Sequence, residues 1–239
     1  MFTIFKNEVN SFFNSLVGYI VIGVFLVATG LFLWVFKGNV LDNGFADMQN
    51  FFVMTPWIFM VIVPAITMRA FSEEVRNGTI ELLVTKPISF WQIILGKYLA
   101  ACFLILLALL PTLLYYYSVY QLGNPVGNLD SAGIFSSYIG LFLLGCVFAA
   151  IGIATSSITD NQVVAFIVGV SICFLLYAGI SALGALDFWG DWQYFITQLG
   201  LNTQYDALGR GLVDSRNLLY FVSVILLALG YTRLKVGRL

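Results

Sequence analysis

Residues 98–120 read YLAACFLILLALLPTLLYYYSVY, a run of 23 residues without a charged side chain. A helix needs about 20 apolar residues to cross the hydrocarbon core of a bilayer, so this run predicts a membrane span. Runs of this kind, each free of Asp, Glu, Lys and Arg, predict six spans at about 17–36, 51–68, 98–120, 135–156, 163–185 and 217–232. The predicted fold class is therefore an all-α membrane protein with six transmembrane helices.

The composition supports this fold class and excludes several functions. Hydrophobic residues make up 60% of the 239 residues and charged residues only 10%, whereas a soluble domain carries about 25% charged residues. Histidine is absent, which excludes imidazole metal sites and any nucleophile that a histidine base activates. A net charge of −1 leaves no basic excess for binding nucleic acid. Three cysteines lie in apolar runs and are expected to be free: Cys102, Cys146 and Cys173.

The distribution of basic residues predicts the orientation of the chain. With six spans, both termini share one side with the loops between spans two and three and between spans four and five. Eight of the 11 basic residues are on that side: Lys6, Arg69, Arg76, Lys86, Lys97, Arg233, Lys235 and Arg238. Because basic residues concentrate in cytoplasmic loops, both termini are expected in the cytoplasm.

Two segments outside the spans carry apolar patterns of their own. Residues 1–16 place apolar side chains at helical spacing opposite polar ones, which predicts an amphipathic helix lying in the membrane interface. Residues 186–216 hold an aromatic stretch too short to span. We expect this stretch to lie on the outer leaflet or to re-enter it.

The loop between the second and third spans begins with a predicted short helix. Residues 69–77 extend the second span, and Gly78 follows as the residue that ends the helix. Within this helix, Arg69 is expected to pair with Glu73, and Glu73 with Arg76, because residues three or four apart share a face.

The rest of this loop, which runs over 69–97, contains further residues that typically begin or end helices. Thr79 can cap a second short helix, which Pro87 stops, and Ser89 with Gln92 forms a capping box that leads into the third span. An isolated helix of this length is marginal in water. It is therefore expected to dock either on its own bundle or on a cytoplasmic partner.

The sequence holds no energy source of its own. It has no phosphate-binding P-loop, since its one Gly-Lys pair, Gly96-Lys97, is followed by Tyr98. The spans carry no charge, which argues against a transporter driven by an ion gradient. These observations favour a membrane subunit that is driven from outside through the 69–97 loop.

The order of spans and the loop pattern resemble the permease subunits of type-2 ABC exporters. The matching residues are Arg69…Glu73-Glu74…Gly78-Thr79-Ile80-Glu81-Leu82-Leu83…Pro87-Ile88-Ser89…Gly96-Lys97. The resemblance implies that residues 1–239 form a single ABC-2 transmembrane domain. The compact length and Tyr220-Phe221 at the start of the sixth span are most similar to the gliding-motility ABC permeases of the GldF type.

The resemblance also implies roles for particular segments. Residues 1–16 would be the connecting helix, 79–86 the coupling element that docks on an ATPase, and spans two and five the walls of a translocation path. The residues of the implied coupling site are Arg69, Glu73, Glu74, Gly78, Thr79, Glu81, Leu82, Leu83 and Pro87.

The implied partners are those of an ABC complex in a bacterial inner membrane. They are a separate ABC ATPase of the GldA type, which would hold ATP and Mg²⁺, and a second membrane subunit of the GldG type with a large periplasmic domain, or a second permease copy. This chain itself is expected to hold no cofactor, metal or catalytic residue and to bind no nucleic acid.

Two points stay open at this level. Pro64 and Pro111 are candidate hinges in the second and third spans, or static kinks that suit packing. The alternatives to an ATPase-driven permease are a gradient-driven or facilitative transporter and a structural membrane anchor of a motility or secretion complex.

Overall fold

The computed structural model describes residues 1–79, 89–186, 190, 192–211 and 214–237 of the chain. Regular structure in these residues is entirely helical. Six of the helical segments are long and apolar enough to cross a membrane, which confirms the predicted fold class. In chain order the helices of these residues are α1 (Phe2–Asn14), α2 (Leu16–Trp34), α3 (Val40–Asn43), α4 (Gln49–Thr67), α5 (Arg69–Arg76), α6 (Phe90–Leu109), α7 (Leu113–Leu122), α8 (Ser131–Ser156), α9 (Gln162–Phe174), α10 (Ile180–Gly184), α11 (Gln193–Gln198), α12 (Leu201–Gly209) and α13 (Ser215–Val236).

The third span extends beyond its predicted bounds at both ends. It begins at Phe90 instead of residue 98 and continues through α6 and α7 to Leu122. The prediction started the span after the charge of Lys97, but the helix runs through this residue and buries it. Ser89 caps the helix as predicted, because its Oγ accepts a hydrogen bond of 3.3 Å from the backbone N–H of Gln92.

The two candidate hinge prolines have different local structures. Pro111 lies in a 3-10 turn, Leu110–Thr112, which interrupts the third span between α6 and α7. Pro64 lies inside α4, which continues without interruption to Thr67. The fifth span has its own irregularity, a π turn over Leu175–Gly179 that joins α9 to α10. Hinge motion at either proline stays a prediction.

The central helix of the bundle is α8, the most deeply buried of the six spans. It packs against α4, α6, α9, α12 and α13. Its glycines allow this close packing: a Cβ on Gly140 would lie 3.2 Å from Leu208, and a Cβ on Gly145 only 2.9 Å from Cγ2 of Ile105. Small residues on α8 therefore set how near its neighbours can approach.

The segment between the fifth and sixth spans folds back onto the bundle. In its described part, α11 packs beside α10, and α12 packs against α8. Leu201, Tyr205 and Leu208 of α12 are buried. The hydroxyl of Tyr205 donates a hydrogen bond of 3.0 Å to the carbonyl oxygen of Phe52 in α4. That carbonyl would accept from the N–H of residue 56 in a regular helix, but residue 56 is Pro56, which has none.

Tyr205→Phe is expected to destabilise the protein by about 1–3 kcal/mol, because it leaves the buried Phe52 carbonyl without a donor. The measurement is the free energy of unfolding in mixed detergent micelles. Tyr194→Phe is the matched control, since Tyr194 is 75% exposed. Equal stability of the two variants would show that the hydrogen bond to Phe52 contributes nothing.

Candidate functional site

Most charged residues of the described helices lie at one end of the bundle, here called the terminal end. This end holds α1, α5, the start of α6 and the last turn of α13; the opposite end is called the distal end. At the terminal end the guanidinium of Arg233 in α13 lies 5.3 Å from the centre of the Trp91 ring in α6. This contact joins the C-terminal helix α13 to the start of the third span.

Lys97 lies at the centre of the terminal end. Its Nζ is 2.6 Å from Oε1 of Glu8 in α1 and 2.7 Å from Oε1 of Glu74 in α5. The Lys97 side chain is only 4% exposed, and its Nζ also lies 5.3 Å from the centre of the Phe71 ring. Lys97, Glu8 and Glu74, here called the Lys97 triad, join three separate helices through one buried ammonium group.

A second contact between α1 and α5 is formed by Arg69. Its guanidinium carbon lies 4.5 Å from the centre of the Phe12 ring in α1, a cation–π arrangement. Nη2 of Arg69 and Oε2 of Glu74 are buried and have no hydrogen-bond partner among the described residues. Both residues line a polar cleft of about 350 Å³, whose other walls are formed by α1, Lys97 and the end of α5.

The predicted ion pairs within α5 are wrong. In the part of the chain that the structure describes, Glu73 is within 4 Å of neither Arg69 nor Arg76, and the ion pairs found are the two that Lys97 makes. The guanidinium of Arg69 instead lies over the buried ring of Phe12 in α1, whereas Glu73 is on the exposed face of α5.

The end of α5 has the predicted glycine cap. Gly78 has a φ of +66°, a left-handed conformation that favours glycine. Its N–H donates to the Val75 carbonyl over 3.2 Å, and the N–H of Thr79 donates to the Glu74 carbonyl over 3.0 Å. The Thr79 hydroxyl also donates to the Glu74 carbonyl over 3.3 Å.

The predicted coupling element over 79–86 lies almost wholly outside the described residues. This holds for four of the residues that the resemblance named: Glu81, Leu82, Leu83 and Pro87. The described part of the site therefore consists of α5, its glycine cap and the helices against which α5 is held.

Comparison with known proteins identifies the family. Residues 42–187 match the family model described as "ABC-2 family transporter protein". The chain belongs to the ABC-2 family of transporter proteins. The match covers spans two to five, including α5 and the Lys97 region, so the predicted type-2 ABC permease is confirmed at this level. The match does not reach the narrower prediction of a GldF-type permease.

One curated relative shows how far this likeness extends. The uncharacterized protein YhcI of Bacillus subtilis (strain 168) is 26% identical over 210 residues. The match covers 77% of this ABC-2 chain and 65% of YhcI. The chain thus spans slightly less than two thirds of that relative's length.

The Lys97 triad of this ABC-2 chain was not predicted from the sequence. Glu8 and Lys97 are 89 positions apart, and pairing over such a distance leaves no local pattern. A signal was present, however, because Lys97 directly precedes an uncharged run. An isolated charge at the edge of such a run needs either solvent or a counter-charge from another helix.

A second cleft, of about 650 Å³, lies at the distal end between α4, α8 and α12. Its wall carries three carboxylates and one guanidinium, and its floor includes buried apolar residues such as Phe52 and Ile134. Asp47 and Asp130 cap the starts of α4 and α8. Burial raises the pKa of Asp206, while the nearby charge of Arg210 lowers it in part.

Proposed function

We propose that this chain is a permease subunit of an ABC transporter and that a separate ATPase drives it from the terminal end. The observation that carries the proposal is the match of spans two to five to the ABC-2 family, with α5 and the start of α6 inside the matched range. The absence of a P-loop from the sequence supports the assignment of ATP and Mg²⁺ to a partner. The distribution of basic residues supports a cytoplasmic position for the terminal end.

The path of force follows from the continuity of the helices. α5 follows α4 after the single residue Met68, whose backbone is itself helical, with φ −54° and ψ −31°. Phe71 of α5 is buried and holds the short helix against the bundle. A displacement of the loop that starts at Gly78 would therefore be passed to span two through α5 and to span three through α6.

The wider assembly belongs to the same proposal. Six spans of one chain enclose little space, so a second permease copy or a related membrane subunit would complete a path lined by spans two and five. A role in gliding motility, with GldA-type and GldG-type partners, rests on the sequence resemblance alone and stays a prediction. The alternatives, a gradient-driven transporter or a structural anchor, both predict that function does not depend on ATP.

The test is purification of the chain from its native membrane in mild detergent, with mass spectrometry of the proteins that accompany it. A stoichiometric P-loop ATPase is expected. Gly78→Val should lower the amount of ATPase recovered about five- to thirtyfold. The reason is that holding valine in the left-handed conformation at the end of α5 costs about 1–2 kcal/mol.

Gly44→Val is the matched control. Gly44 ends α3 at the distal end with a φ of +67°, against +66° for Gly78, and a Cβ at either position would meet no atom within 4 Å. Loss of the ATPase with Gly44→Val as well would indicate a general folding defect. Absence of an ATPase from the wild-type preparation would contradict the proposed function and favour an autonomous transporter or anchor.

A further inference from the structure

The Lys97 triad joins two helices that otherwise pack against each other only slightly. α1 packs extensively against α6 and against α2, while its direct packing with α5 is minor. Between α1 and α5 lies the polar cleft of about 350 Å³. The link between these two helices therefore consists mainly of Lys97, which contacts both, and of Arg69 over Phe12.

α1 is also separated from the span that follows it. Ser15, between α1 and α2, has an extended backbone with φ −104° and ψ 147°. Such a break lets α1 change its angle to span one unless another contact holds it. At the terminal end, α1 is held by its packing on α6 and α2, by the contact of Phe12 with Arg69 and by the ion pair of Glu8 with Lys97.

We propose that Lys97 is a positioning residue that makes α1 and α5 move as one unit with the start of span three. Displacement of α5 by an ATPase would then also displace α1, and through α1 the start of span one. This inference rests on the proposed function, because it assumes that force enters at α5.

The chemistry of the triad suits a mechanical role better than a purely stabilising one. Replacing a buried charge cluster by well-packed hydrophobic side chains of similar volume is often neutral or stabilising, so stability alone does not explain why three charges lie here. Two ion pairs of 2.6 and 2.7 Å hold two carboxylates at set positions around one nitrogen. Such charge-assisted contacts are directional, whereas the hydrophobic effect is not, so they define the relative position of the helices more narrowly than burial of apolar surface alone.

The test measures the distance between α1 and α5 in the complex with its co-purified ATPase, reconstituted in lipid nanodiscs. Spin labels are placed at the exposed positions Asn10→Cys and Arg76→Cys, and the native cysteines, which are buried, are replaced by alanine. The distance is compared between the nucleotide-free state and the state trapped with ADP and vanadate. In the protein with an intact triad, we expect the same distance in both states.

The decisive variant is Lys97→Met/Glu8→Gln/Glu74→Gln, which removes all three charges and leaves none unpaired. We expect its α1–α5 distance to shift or broaden on trapping. Lys6→Met is the control, since it removes an exposed charge of α1 outside the triad, and its α1–α5 distance should be the same in both states. An unchanged distance in the triad variant would overturn the inference.

A second label pair separates this inference from the proposed function. Labels at Arg76→Cys and at Lys37→Cys, an exposed position at the distal end, report movement of α5 against the far side of the bundle. We expect this distance to change on trapping whether or not the triad is present. If it does not change in the intact protein, the proposed entry of force at α5 fails, and the role of Lys97 fails with it.

Discussion

Lys97→Met is expected to lower the free energy of unfolding by about 3 kcal/mol, because it leaves two carboxylates without their counter-charge. Glu8 and Glu74 keep 27% and 22% of their side-chain surface exposed, so water can solvate them in part. This places the loss at the lower end of the range for a broken buried ion pair. The measurement is unfolding in mixed detergent micelles, followed by tryptophan fluorescence.

The control for this prediction is the neutral triad variant, Lys97→Met/Glu8→Gln/Glu74→Gln. Since no charge is left unpaired, its stability should return to within about 1 kcal/mol of the wild type. Lys37→Met, at an exposed lysine of the distal end, should have no effect. If the single and the triple variants lose the same stability, the loss comes from packing of the lysine stem and not from unpaired charge.

The six spans could be predicted from the sequence because an uncharged run of sufficient length has few alternatives to crossing a bilayer. Their ends are harder to predict, because a charged residue next to an apolar run can lie either in solvent or inside the bundle. The third span shows the second case: its helix starts at Phe90 and carries Lys97 inside the bundle, where Glu8 and Glu74 pair with it.

In the candidate site, the features set by neighbouring residues could be predicted from the sequence, whereas the contacts between separate helices could not. The cap at Gly78 and the start of α6 at Ser89 were predicted correctly, because both depend on residues within one turn. The ion pairs of Glu73 with Arg69 and Arg76 were predicted from spacing alone and do not form. Spacing shows which side chains can meet within a helix, but not which partner another helix offers.

Gly152→Ala is expected to destabilise the protein by about 1–3 kcal/mol through overpacking at the crossing of α8 and α4. A Cβ at Gly152 would overlap Oγ1 of Thr67 and would lie 3.1 Å from the Thr67 Cβ and 3.4 Å from the backbone of Pro64. The Thr67 hydroxyl has little freedom to move, since it donates to the Val63 carbonyl over 3.0 Å. The same unfolding measurement in mixed micelles tests the prediction.

Gly23→Ala is the matched control, because Gly23 lies inside α2 and a Cβ there would meet no atom within 4 Å. This change should be neutral or stabilise by about 0.5–1 kcal/mol, as alanine favours helix over glycine. Thr67→Ala removes the overlapping oxygen, so the double variant with Gly152→Ala should lose less stability than the sum of the two single changes. Strict additivity would show that the contact between Gly152 and Thr67 does not limit the approach of α4 to α8.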